Sequence, residues 1–382
     1  MYIRVLSIRK HKIVSFINAY SDEWGTVQFK LKNEILTDFK CGDLLNVDYI
    51  ESKNMKGEDI KEITKINFVI SNDNFESYKG INSDITDIKL RDYLNARNCG
   101  TQLLVLKFKQ ELLKKIRQIL DNLDFFDATN LLNSVEFYKN GSGIIDAEIK
   151  DREDKEPKFL RVTLENQLKQ MVGTLLKSCY SIDKVYRNMG EDSGHINEFL
   201  MLEFVSVSLK LEEIINFVQK IDDLSRIVSE KYNLEVLDLQ KIEIVDYREL
   251  MKNNFSFEQL KKDLNNFLII NYPCNSPFIK SNEIINEKQE IRWYMRGHWI
   301  SHFYKDENNY EIIKNAIKDQ NAISGKDETN PLDYFSWGLP NTTSFGLSID
   351  RWLQMLLNKE NINSIANPIG IDYINMKRNL KK

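Results

Sequence analysis

The sequence has little cysteine, no excess of positive charge and no apolar run long enough to span a membrane. Cysteine occurs four times in 382 residues, at Cys41, Cys99, Cys179 and Cys274. They form no CxxC pair and no cluster with metal-ligand spacing, so reduced, buried thiols are expected rather than a disulfide scaffold. The 53 basic and 57 acidic residues leave a net charge of −4. That balance argues against a DNA-coating protein and leaves only local basic patches for nucleic acid. The absence of a membrane-length stretch, and of an apolar core near Met1, predicts a soluble, cytoplasmic protein without membrane contact. No internal repeat is present.

What the chain does contain is ordinary globular material: 42% hydrophobic and 29% charged residues, in a length that allows two or three domains. Residues 1–70 read as short strands. Tyr2–Ile8, Ile13–Ile17, Thr26–Leu31 and Leu44–Ile50 carry β-branched and aromatic residues, and Asp22, Gly25, Gly42 and Gly57 punctuate them. Five strands in this length suit a small barrel of the oligonucleotide-binding (OB) type, although a sandwich would read much the same. Residues 71–100 form a polar connector, and 101–382 a larger domain. It opens on a helix whose inward face is Val105, Phe108, Leu112, Ile116 and Ile119. A second helix is expected near Leu211–Val228, with Ile214, Ile215, Val218, Ile221 and Leu224 inward. Residues 229–290 read as an insertion, with Pro273 and Pro277 marking a loop. The turn Trp337–Pro340 leads into a last strand and a helix near Ile349. The basic end, Met376–Lys382, reads as a solvated tail.

Between the two helices lies a predicted strand pair near 179–188 and 199–209. Side chains alternate along a strand, so Ser181, Asp183, Val185 and Arg187 share one face, and Phe199, Met201, Glu203 and Val205 share another. If those faces coincide, one cleft holds a guanidinium, an aromatic platform and a carboxylate. Guanidinium stays charged and forks onto phosphate oxygens. An exposed Arg–Glu pair on an ordinary hairpin is the competing reading.

The segments Tyr186–Glu203, with Arg187, His195, Phe199 and Glu203, and Phe345–Trp352, with Arg351, resemble motifs two and three of class II aminoacyl-tRNA synthetases. The lysyl branch of the aspartate, asparagine and lysine group fits best. The run Leu160–Lys169 resembles a conserved stretch of that branch. The resemblance implies an α+β chain: an N-terminal OB-type barrel, then an antiparallel sheet flanked by helices. It also implies roles. Arg187 would bind the amino-acid carboxylate and the α-phosphate of ATP, and His195 would lie near the γ-phosphate. Phe199 and Arg351 would hold the adenine between them. Glu165 would take the substrate α-ammonium and Glu203 a side-chain ammonium, with Tyr304 and Asp306 matching further amino-acid-binding positions. In the barrel, Phe16 and Gln28 match the aromatic and amide that read the central anticodon base; the alternative for Phe16 is barrel core. Arg9, Lys10 and Lys12 could meet phosphates.

Departures accompany the matches. The motif-one proline is missing near Phe125–Leu131, which bears on the expected homodimer. Met189 stands for an adenine-contacting glutamate. Ser344 and Ser348 replace two motif-three glycines and would crowd ATP. His302 stands for a substrate-binding asparagine. The two carboxylates that hold magnesium in this branch read Arg292 and Trp299. Neither ligates a hard cation, so no metal site is assigned and magnesium is in doubt. The implied function is ATP-dependent activation of an amino acid, lysine or another basic one, as an adenylate, with transfer to tRNA. The alternatives are a paralogue that uses a small-molecule or protein acceptor, and a catalytically silent binder of tRNA or amino acid.

Overall fold

A computed structural model describes residues 1–21, 23, 25–36, 38–53, 59–71, 101–136, 147–149, 158–188, 190, 192–236, 241–253, 256–282, 287–324, 336 and 338–366. Nearly all of the connector, Met189, Trp337 and the basic tail lie outside these residues. The chain divides into two compact units, one containing the N-terminal strands and one running Lys109–Ala366.

Strands β1 (Tyr2–Lys10), β2 (Val14–Ser21), β3 (Gly25–Lys32), β4 (Leu44–Lys53) and β5 (Asp59–Ile70) close into a barrel in the order β1-β2-β3-β5-β4. The period-two pattern explains its core. Ile3 and Val5, Ile17 and Ala19, Phe29 and Leu31, and Leu45 and Val47 are fully buried, together with Ile63. Phe16 is out of phase with Ile17 and Ala19, so it is half-buried on the outer face rather than in the core.

Helix α1 (Thr101–Asn122), which enters the second unit at Lys109, buries Val105, Phe108, Leu112, Ile116 and Leu120. Leu120, rather than Ile119, completes this face; Ile119 is half-buried. The strands that follow α1 are β6 (Phe126–Asp127), β7 (Val135–Glu136), β8 (Glu148–Ile149) and β9 (Lys158–Leu160). Helix α2 (Glu165–Leu175) then leads into β10 (Cys179–Tyr186) and β11 (Glu198–Ser206). Helix α3 (Leu211–Lys231) follows, burying Ile214, Phe217, Val218, Ile221 and Val228, while Ile215 and Leu224 are half-buried.

The remaining elements are β12 (Glu243–Asp246), α4 (Tyr247–Lys252), α5 (Phe257–Asp263), β13 (Asn266–Pro273), β14 (Gln289–Met295) and β15 (His298–Lys305). They are followed by α6 (Tyr310–Ser324), β16 (Thr343–Ser348), α7 (Ile349–Leu356) and α8 (Asn363–Ala366). Eight strands form one sheet in the order β12-β13-β14-β15-β16-β11-β10-β6. It is antiparallel except for its two outermost pairs, β12 with β13 and β10 with β6. The segment read as an insertion therefore supplies strands to this sheet. Phe267, Leu268 and Ile269 of β13 are fully buried. A continuous apolar run buried on both faces lacks the alternation that marks a half-exposed strand. The segment that lacks the motif-one proline forms β6 at the sheet edge.

Helices cover both faces. On one, Leu168 and Val172 of α2 and Ile313 and Ile317 of α6 pack with Cys179, Val185, Met201 and Val205. On the other, Phe217 of α3 meets Phe204 and Phe345 edge-on, and those two rings stack with centroids 4.7 Å apart.

Candidate functional site

The register of the sheet assembles the site. Arg292 pairs with His302, His302 with Gly346, Gly346 with Glu203, and Glu203 with Ser181. Directly opposed residues point to the same face, so β14, β15, β16, β11 and β10 present one continuous row. Val185 opposes Phe199 and Asp183 opposes Met201. The faces of the two strands read from the sequence therefore coincide. Gly346 sits in the middle of the row because His302 and Glu203 approach over it. A Cβ there would lie 3.4 Å from the His302 ring and 3.8 Å from Glu203 Cγ.

A cavity of about 310 Å³ opens over this row, within the usual range for a small-molecule site. Arg187, His195, Phe199, Trp299, His302 and Arg351 line it. The Arg187 guanidinium lies over the Phe199 ring, 5.2 Å from its centroid, and donates through Nε to Val162 O at 3.1 Å. Burial lowers the Arg187 pKa; nearby Glu203 opposes that and Arg351 adds to it. Two guanidinium groups lining one cavity suit an anion.

Arg351, in the first turn of α7, donates to Gly194 O at 3.1 Å, and Gln354 one turn on donates to Ser193 O at 3.0 Å. These bonds fasten the loop between β10 and β11 to the helix. Its neighbour Asp350 accepts from Leu200 N at 2.7 Å and ion-pairs with Lys109 of α1. His195 is exposed on that loop, with Nδ1 2.9 Å from Asp192. Gly190 precedes this pair, and Gly194 lies within it and donates its backbone N–H to Asp192 at 2.7 Å.

The carboxylates cluster beside the cavity. Glu203 is buried and accepts from Thr163 Oγ1 at 2.8 Å and Leu164 N at 2.9 Å. Burial, then the negative charge of Glu165, raise its pKa. Glu165 opens α2 and meets Lys169 one turn on, as i,i+4 spacing requires. It also accepts from Tyr304 OH at 2.5 Å. Burial alone would raise the Glu165 pKa, but Lys169 and Tyr304 outweigh it and the result is a lowered value.

Lys169 is the residue that sequence reasoning passed over. It is buried, lies 2.8 Å from Asp306, and is flanked by the Phe278 and Tyr304 rings at 5.4 and 5.6 Å. Burial opposes its charge, yet Asp306 and Glu165 push its pKa up to about 12. Asp306 is fully buried and also accepts from Thr342 at 2.7 Å and Ser344 at 2.9 Å. Ser344 therefore spends its hydroxyl on Asp306 and is not among the cavity residues, whereas Ser348 lines the cavity.

Arg292 and Trp299, at the positions expected to carry metal ligands, do not fit a hard cation. The Arg292 guanidinium is stacked between the Tyr272 and Trp299 rings, at 4.0 and 4.3 Å, and bonded to Glu290 Oε1 at 2.5 Å. The other Glu290 oxygen is 3.0 Å from His302 Nδ1. The one carboxylate at this place is thus already engaged on both oxygens. Among the described residues no group of three or more His, Cys, Asp or Glu side chains is placed to hold a metal ion.

In the barrel, Phe16 packs edge-on to His11 at 5.7 Å, with the Arg9 guanidinium 5.3 Å from its ring centroid. Gln28 is exposed on the neighbouring strand. It opposes Asn18 and donates to it at 3.1 Å. Asn18 is two residues from Phe16, so Phe16 and Gln28 share the outer face.

The family described as tRNA synthetases class II (D, K and N) matches residues 86–367. A lysine–tRNA ligase of Buchnera aphidicola subsp. Schizaphis graminum is 22% identical, covering 90% of this chain and 81% of its own length. One from Helicobacter hepaticus is 24% identical over 95% of this chain and 81% of its own. An elongation factor P–(R)-beta-lysine ligase from the same Buchnera is 24% identical over 67% of this chain and 94% of its own length. Among the described residues, no helix is long and apolar enough to cross a membrane.

Proposed function

Because this chain belongs to the class II tRNA synthetases of the D, K and N group, we propose that it activates a basic amino acid, lysine first, as an adenylate and transfers it to tRNA. ATP and an amino acid are the substrates that membership implies. The observation that carries the reading is the convergence of Arg187, Phe199 and Arg351 on one cavity. Arg187 orients the carboxylate and α-phosphate, while Phe199 and Arg351 hold the base. Each charge-assisted hydrogen bond contributes roughly 1.5–3 kcal/mol, so a few suffice for ordinary substrate affinity. Attack of the amino-acid carboxylate on the α-phosphate expels pyrophosphate and needs orientation and charge stabilisation rather than a covalent nucleophile.

Glu165 and Asp306 share the ammonium of Lys169, while Glu203 feels the negative charge of Glu165 and the positive charge of Arg187. The surplus negative charge supports a substrate that carries an ammonium group. Pyrophosphate exchange over a panel of amino acids tests the reading: exchange with lysine supports it. No exchange with any amino acid, alongside measurable tRNA binding, leaves the silent-binder alternative. A protein acceptor is the second reading, supported by the similarity to the elongation factor P ligase. The homodimer belongs to the same proposal, and sedimentation tests it.

For the barrel, Phe16→Ala is expected to weaken binding of a tRNA with uridine at the central anticodon position. Base–aromatic stacking is worth about 1–3 kcal/mol. Filter binding reads the loss, and an unchanged affinity removes Phe16 from recognition.

A further inference from the structure

The cluster at the expected metal position has its own chemistry. Glu290 is 3% exposed and sits between Arg292 and His302. A carboxylate oxygen only accepts, so the His302 nitrogen facing Glu290, Nδ1, carries a proton. The other ring nitrogen, Nε2, lies toward Gly346, on the row beneath the cavity that His302 lines. The Arg292 charge is different. It is matched by Glu290 and covered by Tyr272 and Trp299, and Arg292 is not among the cavity residues. Of these two cationic candidates, only the imidazole reaches the cavity.

We propose that His302, oriented by Glu290, binds the polyphosphate of the nucleotide as an imidazolium, and so supplies by protonation the positive charge that a metal ion would otherwise bring. This rests on the nucleotide reading of the cavity. With Nδ1–H held by Glu290, a neutral ring would point a lone pair at the phosphate. Binding therefore draws a proton onto Nε2, which then donates to a phosphate oxygen. Charged and titratable groups of both signs face the ring. Glu290 bonds it from β14, Glu203 approaches from β11 over Gly346, and Glu165 acts on it from α2. Against them stand Arg292, which shares Glu290, and Arg187 and Arg351 on the same cavity. Tyr304 of the same strand lies 5.6 Å away and donates its proton to Glu165, and the uncharged Trp299 ring is at 5.4 Å. Glu290 is a positioning residue, kept ionised because its bonds to His302 and Arg292 outweigh the effect of burial.

The test is calorimetric binding of AMP and of ATP to the full chain in EDTA, at slightly alkaline pH, in buffers of different ionisation enthalpy. Wild type is expected to take up a proton on binding ATP, and added magnesium to leave the affinity unchanged. His302→Asn should weaken ATP roughly tenfold or more, the value of one charge-assisted bond. It should also abolish the extra proton uptake and leave AMP binding intact. His302→Gln serves as a second variant should the first not fold. ATP binding and proton uptake unchanged in both variants, or a magnesium requirement for ATP binding in wild type, overturns the proposal while AMP binding sustains the nucleotide reading. If wild type binds neither nucleotide, both fall.

Discussion

Arg187→Ala is expected to lower amino-acid-dependent pyrophosphate exchange by about 10²–10³-fold, the usual cost of deleting one preorganised donor to a developing charge. The loss follows from geometry. Val162 O and the Phe199 ring fix the guanidinium in place before any ligand arrives. Arg187→Lys should recover only part of the rate, since an ammonium cannot fork onto two oxygens. Folding should survive both changes, because Glu203 keeps its bonds to Thr163 and Leu164. Stopped-time exchange assays and urea unfolding together check this: lost activity with an unmoved unfolding midpoint is the expected pair. Exchange within a few-fold of wild type would remove Arg187 from the chemistry.

Lys169→Met is expected to have the largest effect on stability. Removing one member of a buried ion pair leaves its partners uncompensated and costs about 3–5 kcal/mol. Here two carboxylates, Glu165 and Asp306, lose the same ammonium. The hydroxyls of Tyr304, Thr342 and Ser344 remain to soften the loss. The pH dependence has a definite sign. The Lys169 pKa is raised on folding, from an ordinary 10.5 to about 12. Its contribution is therefore fully present below 10.5 and is lost as pH rises through about 12. Urea melts at neutral and strongly alkaline pH should show the wild-type advantage over Lys169→Met shrinking at the alkaline end. Equal stability of the two proteins at neutral pH would contradict the buried-pair account.

The legible parts of the fold are those with strict periodicity. Alternation along β1 to β4 marks the barrel core, and the same rule puts Phe199, Met201 and Glu203 on one face before any register is known. Helix faces are less sharp: both Ile119 and Leu120 are apolar, and only packing decides that Leu120 goes inward. Strand β13 is illegible for a physical reason, since a strand buried on both sides shows no alternation. Glu290 and Lys169 escape because a charged residue in a sequence reads as solvated by default. Their burial depends on partners 12 and 137 residues away in the chain, His302 and Asp306. The Glu165–Lys169 spacing was the available signal, but it is equally that of an exposed helical pair. Arg292 was legible as a non-ligand, while its stacking between rings of β13 and β15 needed the sheet.

The most direct measurement is a crystal structure of the chain soaked with ATP. The expected result is adenine between Phe199 and the Arg351 guanidinium, with the α-phosphate on Arg187. A nucleotide bound elsewhere, with those side chains left as they stand in the free protein, would contradict a shared grip by two arginines.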